Sequence, residues 1–234
     1  MANTKNTFEI QEILRKNSVN YNLWLTSHFI EYAGGNMIDI GSGYGNVIKN
    51  FAKTGRKITC LDVEQDYVDY LNNNFQQAGL KAIKTDFQTF EVGLSAEAFD
   101  SVSCFNVLEH IEDDQDALDK MYKLLRHGGL VFLFVPAMKC LYGAMDAADG
   151  HFRRYSKLEL QKKLQKSGFV VRKLHYMNFV GVFGWFFNGR ILKTKIISSK
   201  QANLFDKLVP ILRCLEHIIT PPFGQSLIAI AERV

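Results

Sequence analysis

The chain has 234 residues, a formal net charge of +4 and a hydrophobic fraction of 47%. These values are those of an ordinary globular protein with a single well-filled core. The polar start at residues 1–6 predicts no secretory signal peptide, and four widely spaced cysteines predict neither a disulfide set nor a zinc site, so we expect a cytoplasmic protein.

Two helical patterns precede the first predicted strand, over residues 8–33. Their apolar positions are Phe8, Ile10, Ile13 and Leu14 in the first pattern and Leu23, Trp24, Leu25, Phe29 and Ile30 in the second. This spacing predicts two helices before the first strand.

The most informative stretch is a short apolar strand that ends in a glycine-rich turn. Residues 36–40 read as a buried strand containing Asp39. Glycines follow at every second position: Gly41, Gly43 and Gly45. Glycine lets the backbone turn tightly and removes the side chains that would keep a ligand away. With the helical pattern at 46–54, this unit is typical of nucleotide-binding α/β sheets, although its G-x-G-x-G spacing is not that of dinucleotide binders.

Acidic residues close the next two predicted strands. The strand at 57–63 contains Asp62 near its end, and the strand at 81–85 is followed by Asp86 and Phe87. The first acid can accept hydrogen bonds from two ribose hydroxyls, while the second can reach an adenine amino group beside a stacking ring. Each acid has an alternative interpretation as a helix cap, and Phe87 has one as a core residue.

These motifs together resemble class I S-adenosylmethionine-dependent methyltransferases. The glycine turn, the two acids and the sequence Asn-Val-Leu-Glu-His at 106–110 occur in the family's order and spacing across residues 36–137. The resemblance implies S-adenosylmethionine as the cofactor, with its methionine part held by Asp39, Gly41, Gly43 and Gly45, its ribose beside Asp62 and Val63, its adenine at Asp86 and Phe87, and its sulfonium beside Asn106.

The same resemblance implies an α/β fold: a seven-stranded Rossmann-like methyltransferase sheet in the strand order 3-2-1-4-5-7-6, with strand seven antiparallel and helices on both faces. Helical patterns at 65–78, 113–125 and 157–167 alternate with strands at 99–105, 130–135, 169–176 and 227–231. Residues 1–234 are predicted to form a single methyltransferase domain. Residues 1–35 would form a helical lid, in which Tyr21 either contacts the substrate or packs in the core.

Two insertions, 136–155 and 177–222, are expected on the acceptor side of this domain. The first is a 20-residue connection with little regular pattern, and such connections are more often functional than accidental. His151 is a candidate general base toward the acceptor, and His110 is a second candidate. No metal ion is predicted at either residue.

Basic and aromatic residues close the first insertion. Arg153 and Arg154, followed by Tyr155, fit the binding of a phosphate or carboxylate on the substrate. In the alternative interpretation, His151 and the arginines pair with the acids at 146 and 149 and only fix the loop.

The second insertion combines an uncharged aromatic stretch at 177–189 with basic residues and an amphipathic stripe over 204–219, with a kink expected at Pro210. This composition suits the headgroup region of a membrane, an apolar substrate tunnel, a dimer interface or simple packing on the sheet. Residues 151–234 also carry 15 basic and four acidic side chains, which suits an anionic substrate or membrane surface. Part of this excess has a simpler explanation as an exposed, solvated helix.

Patterns at 20–25, 150–156 and 222–227 resemble, more narrowly, bacterial methyltransferases encoded with or fused to lipid-linked-sugar glycosyltransferases. This resemblance favours a polyprenyl- or sugar-linked anionic acceptor. We therefore expect methyl transfer to a small or lipid-linked metabolite, anionic or partly hydrophobic, and from its composition we expect 177–222 to be the segment of any peripheral contact with the inner face of the membrane. The Asn/Asp-Pro-Pro-aromatic motif of DNA amine methylases is missing after strand four, so nucleic acid is not expected as a partner. The alternatives are a cofactor-binding module without activity and a nicotinamide-dependent oxidoreductase.

Overall fold

The computed structural model describes residues 12–13, 15–93, 96–194 and 198–234. Within these residues, seven strands form one sheet in the order β3-β2-β1-β4-β5-β7-β6. The strands are β1 (Asn36–Ile40), β2 (Lys57–Asp62), β3 (Leu80–Lys84), β4 (Phe99–Phe105), β5 (Leu125–Pro136), β6 (Phe169–Met177) and β7 (Ser226–Arg233). β7 pairs antiparallel with β5 and β6, and the other pairs are parallel. The predicted strand order and the direction of the last strand are confirmed.

Helices lie between the strands and cover both faces of the sheet. They are α1 (Val19–Ser27), α2 (Ile48–Ala52), α3 (Gln65–Phe75), α4 (Asp114–Leu124), α5 (Ala144–Asp149), α6 (Lys157–Lys166), α7 (Phe179–Phe186) and α8 (Ser199–Ile218). A π-helical turn at 187–191 follows α7, and a 3₁₀ turn at 108–110 follows β4. No helix of the described residues is both long and apolar enough to cross a membrane.

Alternation of side chains along each strand gives the sheet two cores. Ile38 and Ile40 of β1 pack toward α4 and α6, whereas Met37 packs toward α1 and α2. Burial of both faces is the arrangement that parallel strands require, and it explains why their sequences are continuously apolar. The same burial holds the carboxyl ends of β1 and β4 rigidly at one edge of the sheet.

Two predictions differ from the structure, at β5 and in the first insertion. β5 begins at Leu125 instead of residue 130, because Leu125 already pairs with Phe99 of β4. The pairing is irregular between Leu125 and Leu130, where Gly128 adopts a positive φ of 76°. The insertion at 136–155, predicted to be irregular, contains the short helix α5, which ends at Gly150 with a φ of 81°. α8 runs as one helix through Pro210. In the predicted lid, residues 1–11 and 14 lie outside the described residues, so Phe8, Ile10 and Leu14 are not placed.

Candidate active site

The glycine turn after β1 has the conformation that its sequence predicts. Gly41, Gly43 and Gly45 have φ angles of 69°, 51° and 71°, which side-chain-bearing residues rarely adopt. A Cβ atom on Gly41 would also lie 2.3 Å from a methyl group of Val107. The backbone N–H of Gly41 donates to the carbonyl of Leu61 at 2.8 Å, which fixes the turn against β2. Glycine at position 41 is therefore required by both conformation and space.

A cleft of about 150 Å³ lies beside this turn. Of the described residues, those that line it are Ser18, Tyr21, Asn22, Leu25, Asp39, Gly41, Ser42, Gly43, Asn46, Val47, Ile48, Phe105 and Asn106. They come from α1, the end of β1, the start of α2 and the end of β4. An open α/β sheet binds ligands at this location, beyond the carboxyl ends of its central strands.

Asp39 places a buried carboxylate in the cleft. Its side chain is only 4% exposed and accepts a hydrogen bond from the Ser103 hydroxyl, which lies opposite it on β4. Burial raises the pKa of Asp39 to about 6, although the hydroxyls of Ser103 and Ser42 oppose this rise. A cationic ligand in the cleft would favour the ionised form and lower this pKa again.

Asp62 supports the turn from the neighbouring strand. Its carboxylate accepts hydrogen bonds from the backbone N–H groups of Gly43 at 2.7 Å and Glu64 at 3.0 Å. Burial raises the pKa of Asp62, although the hydrogen bonds from these two N–H groups oppose the rise. Val63, the next residue, is half exposed at the end of β2. Both residues lie next to the glycine turn without lining the cleft itself.

Asp86 and Phe87 lie beyond β3 and do not line the cleft. Asp86 is exposed and accepts the backbone N–H of Gln88 at 2.8 Å, which closes its own turn. The Phe87 ring is 5% exposed and stacks on Phe90 in the core. This burial favours the interpretation of Phe87 as a core residue, in place of the predicted ring open for stacking on adenine.

Asn106 and Tyr21 both lie on the wall of the cleft. Asn106 has a positive φ of 53°, and its N–H donates to the carbonyl of Phe134 at 2.8 Å. Burial of the Tyr21 hydroxyl raises its pKa to about 12, and this hydroxyl is hydrogen-bonded to Asn178 and Ser226. The hydroxyl of Tyr21 is thus neutral and held in place at ordinary pH.

The two candidate bases are neighbours with opposite pKa shifts. Their rings meet edge to face with centroids 4.6 Å apart. Burial and, to a smaller extent, the charge of His151 together lower the pKa of His110 to about 4. Burial would also lower the pKa of His151, but its bonds to Asp146 and Asp149 outweigh this and raise it to about 9. At neutral pH His110 is therefore uncharged and His151 is a cation.

These protonation states decide which histidine can accept a proton. His151 Nδ1 lies 3.0 Å from Asp146 Oδ1, and its Nε2 lies 3.2 Å from Asp149 Oδ2. Both ring nitrogens thus lie within bonding distance of carboxylates. This agrees with the alternative interpretation, in which His151 pairs with the acids at 146 and 149 and only fixes the loop. The geometry favours a role for His151 in fixing the loop over its predicted role as a base. His110 is the remaining candidate base.

Glu109 is a fully buried carboxylate beside these histidines. Among the described residues neither of its oxygens has a hydrogen-bond partner, although His151 Nε2 lies 3.9 Å from Oε1. Burial raises its pKa to about 7. Glu109, His110 and His151 can each direct one donor atom within 4.8 Å of the others, but the positive charge of His151 opposes a metal ion there.

Arg154 and Tyr155 of the loop face the protein interior. Arg154 is 2% exposed, and its Nε donates to Asp146 Oδ1 at 2.7 Å. The Tyr155 hydroxyl is buried and donates to Asp114 Oδ2 at 2.9 Å. The prediction that Arg154 and Tyr155 bind the acceptor is therefore corrected, since burial removes both from any ligand. Arg153 is partly exposed but pairs with Asp114 at 3.0 Å.

Sequence reasoning missed three polar residues that line the cleft, namely Ser18, Asn22 and Asn46. Asn46 is the most informative of them, because its Oδ1 atom is buried and has no hydrogen-bond partner among the described residues. The signal that the sequence offered for Asn46 was its position directly after Gly45, the last glycine of the turn. Ser18 and Asn22 gave none, since only the folded helix brings α1 over the cleft.

Comparison with known proteins supports the interpretation of this cleft. A family model described as a methyltransferase domain matches residues 38–133. Ubiquinone biosynthesis O-methyltransferase from Xanthomonas euvesicatoria pv. vesicatoria (strain 85-10) is 30% identical over 108 residues, which cover 44% of this chain and 44% of that enzyme. The chain thus spans less than half the length of the curated relatives it matches.

Solved structures extend the likeness in fold over the whole chain. Phosphoethanolamine N-methyltransferase 2 from Haemonchus contortus, in complex with S-adenosyl-L-methionine, aligns with a TM-score of 0.67 at 19% identity, over 97% of this chain and 56% of that one. An S-adenosylmethionine-dependent methyltransferase from Mesorhizobium loti aligns with a TM-score of 0.64 at 14% identity, over 94% of this chain and 100% of that one. Residues 38–133 therefore resemble a methyltransferase domain, and the chain has the fold of S-adenosylmethionine-dependent methyltransferases.

Proposed function

We propose that this protein transfers the methyl group of S-adenosylmethionine to a small or lipid-linked metabolite that is anionic or partly hydrophobic. The single observation that carries the proposal is the cleft beside the glycine turn, with a buried carboxylate at its base. We place the protein in the cytoplasm at the inner face of the membrane. Residues 136–155 and 177–222 would shape the acceptor side.

The residues of the cleft fit this cofactor. S-adenosylmethionine carries an ammonium and a sulfonium, and Asp39 offers a buried negative charge that forms no ion pair with a basic side chain among the described residues. The unpartnered Oδ1 of Asn46 offers an acceptor for a donating group of the ligand. The positive φ angles of the turn bring backbone N–H groups to the cleft without intervening side chains.

When bound, the cofactor supplies an already activated methyl group, so the protein needs to position reactants and exclude water. Positioning of this kind can contribute on the order of 7–11 kcal/mol to lowering the barrier. Tyr21 and Asn22 on α1 form one wall of the cleft and shield it from solvent. Asn106 forms the opposite wall at the end of β4. A hydroxyl acceptor would also need a group that removes its proton.

The proposal is tested first by calorimetric titration with S-adenosylmethionine. Replacement of Asp62 by alanine should weaken binding by roughly 1–3 kcal/mol, because ribose hydrogen bonds and support for Gly43 are both lost. The matched control is Asp69→Ala, which removes an exposed acid of α3 that bonds only to Gln65. The wild-type protein should not bind NADH. Absence of S-adenosylmethionine binding up to millimolar concentration would refute the proposal, and unchanged affinity of Asp62→Ala would remove Asp62 from the site.

The role of His110 is tested by the pH dependence of methyl transfer. With a hydroxyl acceptor, Asn at position 110 should lower the rate by about 10²–10⁴-fold. Since the pKa of His110 is about 4, the wild-type rate at saturating cofactor should rise through pH 4 and then stay level across neutral pH. The assay would follow radiolabelled methyl groups from the cofactor into a bacterial lipid and metabolite extract.

His151 provides the contrast in the same experiment. A rate that continues to rise toward pH 9 would follow the pKa of His151 and would contradict the assignment to His110. No transfer to any component of the extract, despite tight cofactor binding, would favour the alternative of a cofactor-binding module without activity.

A further inference from the structure

Exposed apolar side chains are concentrated between α7 and the end of α8. We call the following set the apolar face: Val180, Phe183, Phe186, Phe187, Ile191, Leu192, Leu204, Leu208, Ile211, Leu215, Ile218 and Ile219. The exposed fraction reaches 73% at Ile218. Single exposed apolar residues are normal, but a concentration of this size marks an interaction surface.

Hydrogen bonds at both ends hold the two parts of this face side by side. The start of α7 is joined to the end of α8, because Glu216 accepts the backbone N–H groups of Asn178 and Phe179. The π-helical turn is joined to the start of α8 by a bond from Gln201 to Asn188 at 3.1 Å. α7 and α8 therefore present one surface.

α8 has two separate apolar sides, and the sheet uses only one. Ala202, Phe205, Val209 and Leu212 pack inward on the core. Leu204, Leu208, Ile211, Leu215 and Ile218 recur every three or four residues and stay exposed. A helix needs only one apolar stripe to pack on a sheet, so the second stripe is available to a partner.

The charges around the apolar face have a single sign. The two acids in residues 178–219 point inward: Glu216 caps α7, and Asp206 accepts the N–H groups of Asn20 and Tyr21 at 3.1 and 2.8 Å. The exposed cations there, Lys193, Lys200, Lys207 and Arg213, pair with no carboxylate in the part of the chain that the structure describes. Lys200 and Lys207 border the exposed stripe of α8 at helical spacing.

We infer that the apolar face docks on an anionic phospholipid surface. An exposed apolar stripe bordered by cations is the form of a helix that lies in the membrane interface. Each cation near an anionic bilayer contributes about 1 kcal/mol of attraction. A second copy of the chain would instead place the same cations against each other, and like charges at an interface are unfavourable. An anionic membrane is therefore the partner that satisfies both features.

This inference rests on the proposed function and specifies its substrate class. Asp206 fastens α8 to the start of α1, and the ring of Phe205 on α8 lies 6.1 Å from the ring of Tyr21. Tyr21 also lines the cleft. Docking through α8 would hold the cleft beside the lipid surface, so an acceptor anchored in the bilayer by an apolar chain is the substrate class that fits.

The test is sedimentation of the full-length protein with vesicles of phosphatidylcholine alone or mixed equally with phosphatidylglycerol. We expect binding to the mixed vesicles only, weakening as salt is raised. The variant L208D/I211D/L215D and the variant K200E/K207E should each bind the mixed vesicles at least about tenfold more weakly than the wild type does. The matched controls lie on α6: Leu158→Asp, which removes a side chain that is 62% exposed, and K162E/K166E. Both controls should bind as the wild type does.

Cofactor titration of every variant separates the two proposals. Intact S-adenosylmethionine binding without binding of wild-type protein to anionic vesicles would overturn the docking inference alone. Equal losses in the α6 controls would also overturn it, because attraction would then be unspecific. Vesicle binding by a protein that does not bind the cofactor would refute the proposed function and leave the docking surface in place.

Discussion

Replacement of Asp39 by asparagine should weaken S-adenosylmethionine binding at neutral pH by about 10–150-fold. Among the described residues that line the cleft, Asp39 is the one that offers a charge to the ammonium of the cofactor, and hydrogen bonds to charged groups contribute about 1.5–3 kcal/mol. Wild-type affinity should also fall below pH 6, because the pKa of Asp39 in the free protein is about 6. The variant should lack this pH dependence.

The stability of the same variant should move in the opposite direction. The folded-state pKa of Asp39 lies above its ordinary value of 3.8, so this group stabilises the fold most below pH 3.8 and loses that contribution as pH rises to about 6. Near neutral pH the uncharged variant should therefore unfold at higher denaturant concentration than the wild type. Calorimetry and urea unfolding measure the two effects. Unchanged affinity for S-adenosylmethionine, with or without a loss of stability, would show that Asp39 has a structural role only.

Truncation of Arg154 to alanine should destabilise the fold by about 3 kcal/mol, at the lower end of the range for a broken buried ion pair. Arg154 donates to Asp146 at 2.7 Å and to the carbonyl of Ala137 at 2.9 Å, and its guanidinium lies over the Trp185 ring. His151 also bonds to Asp146 and limits the loss. The expected fall in Tm is about 6–12 °C.

Arg172→Ala is the control for this prediction. Arg172 pairs with Glu232 at 2.6 Å on the surface, where an ion pair contributes about 0–1 kcal/mol. Thermal unfolding of both variants should therefore separate them clearly. A stable Arg154→Ala variant with impaired transfer to an anionic acceptor would restore the sequence-based assignment of Arg154 to the acceptor.

The framework of the sheet was predictable because its strands are buried on both faces. β1 and β4 begin and end at the predicted residues, since glycines and polar residues bound continuous apolar runs. The insertion of β7 between β5 and β6 was not derivable from the pattern, because pairing between distant strands leaves no local signal. It followed only from the resemblance to the family.

The candidate site was predictable where backbone conformation restricts the sequence. Gly41 is required by its positive φ and by Val107, and Asp39 precedes it on a buried strand. The insertions were harder, because residue type does not reveal burial. Arg154 and His151 have the chemistry of ligand-binding groups, yet buried carboxylates hold both of them.

Asp146 belongs to the first insertion but also accepts a bond from Trp185 Nε1 of the second, at 3.3 Å. Nearby, a Cβ atom on Gly143 would lie 2.9 Å from the carbonyl oxygen of Gly189, so the two backbones touch. Exchange of one segment alone would break these contacts: a chimaera that grafts residues 136–155 onto a related scaffold would keep the Arg154–Asp146 pair but lose the Trp185 bond and the contact at Gly189. Diversification of acceptor choice on this framework should consequently proceed by paired replacement of both segments.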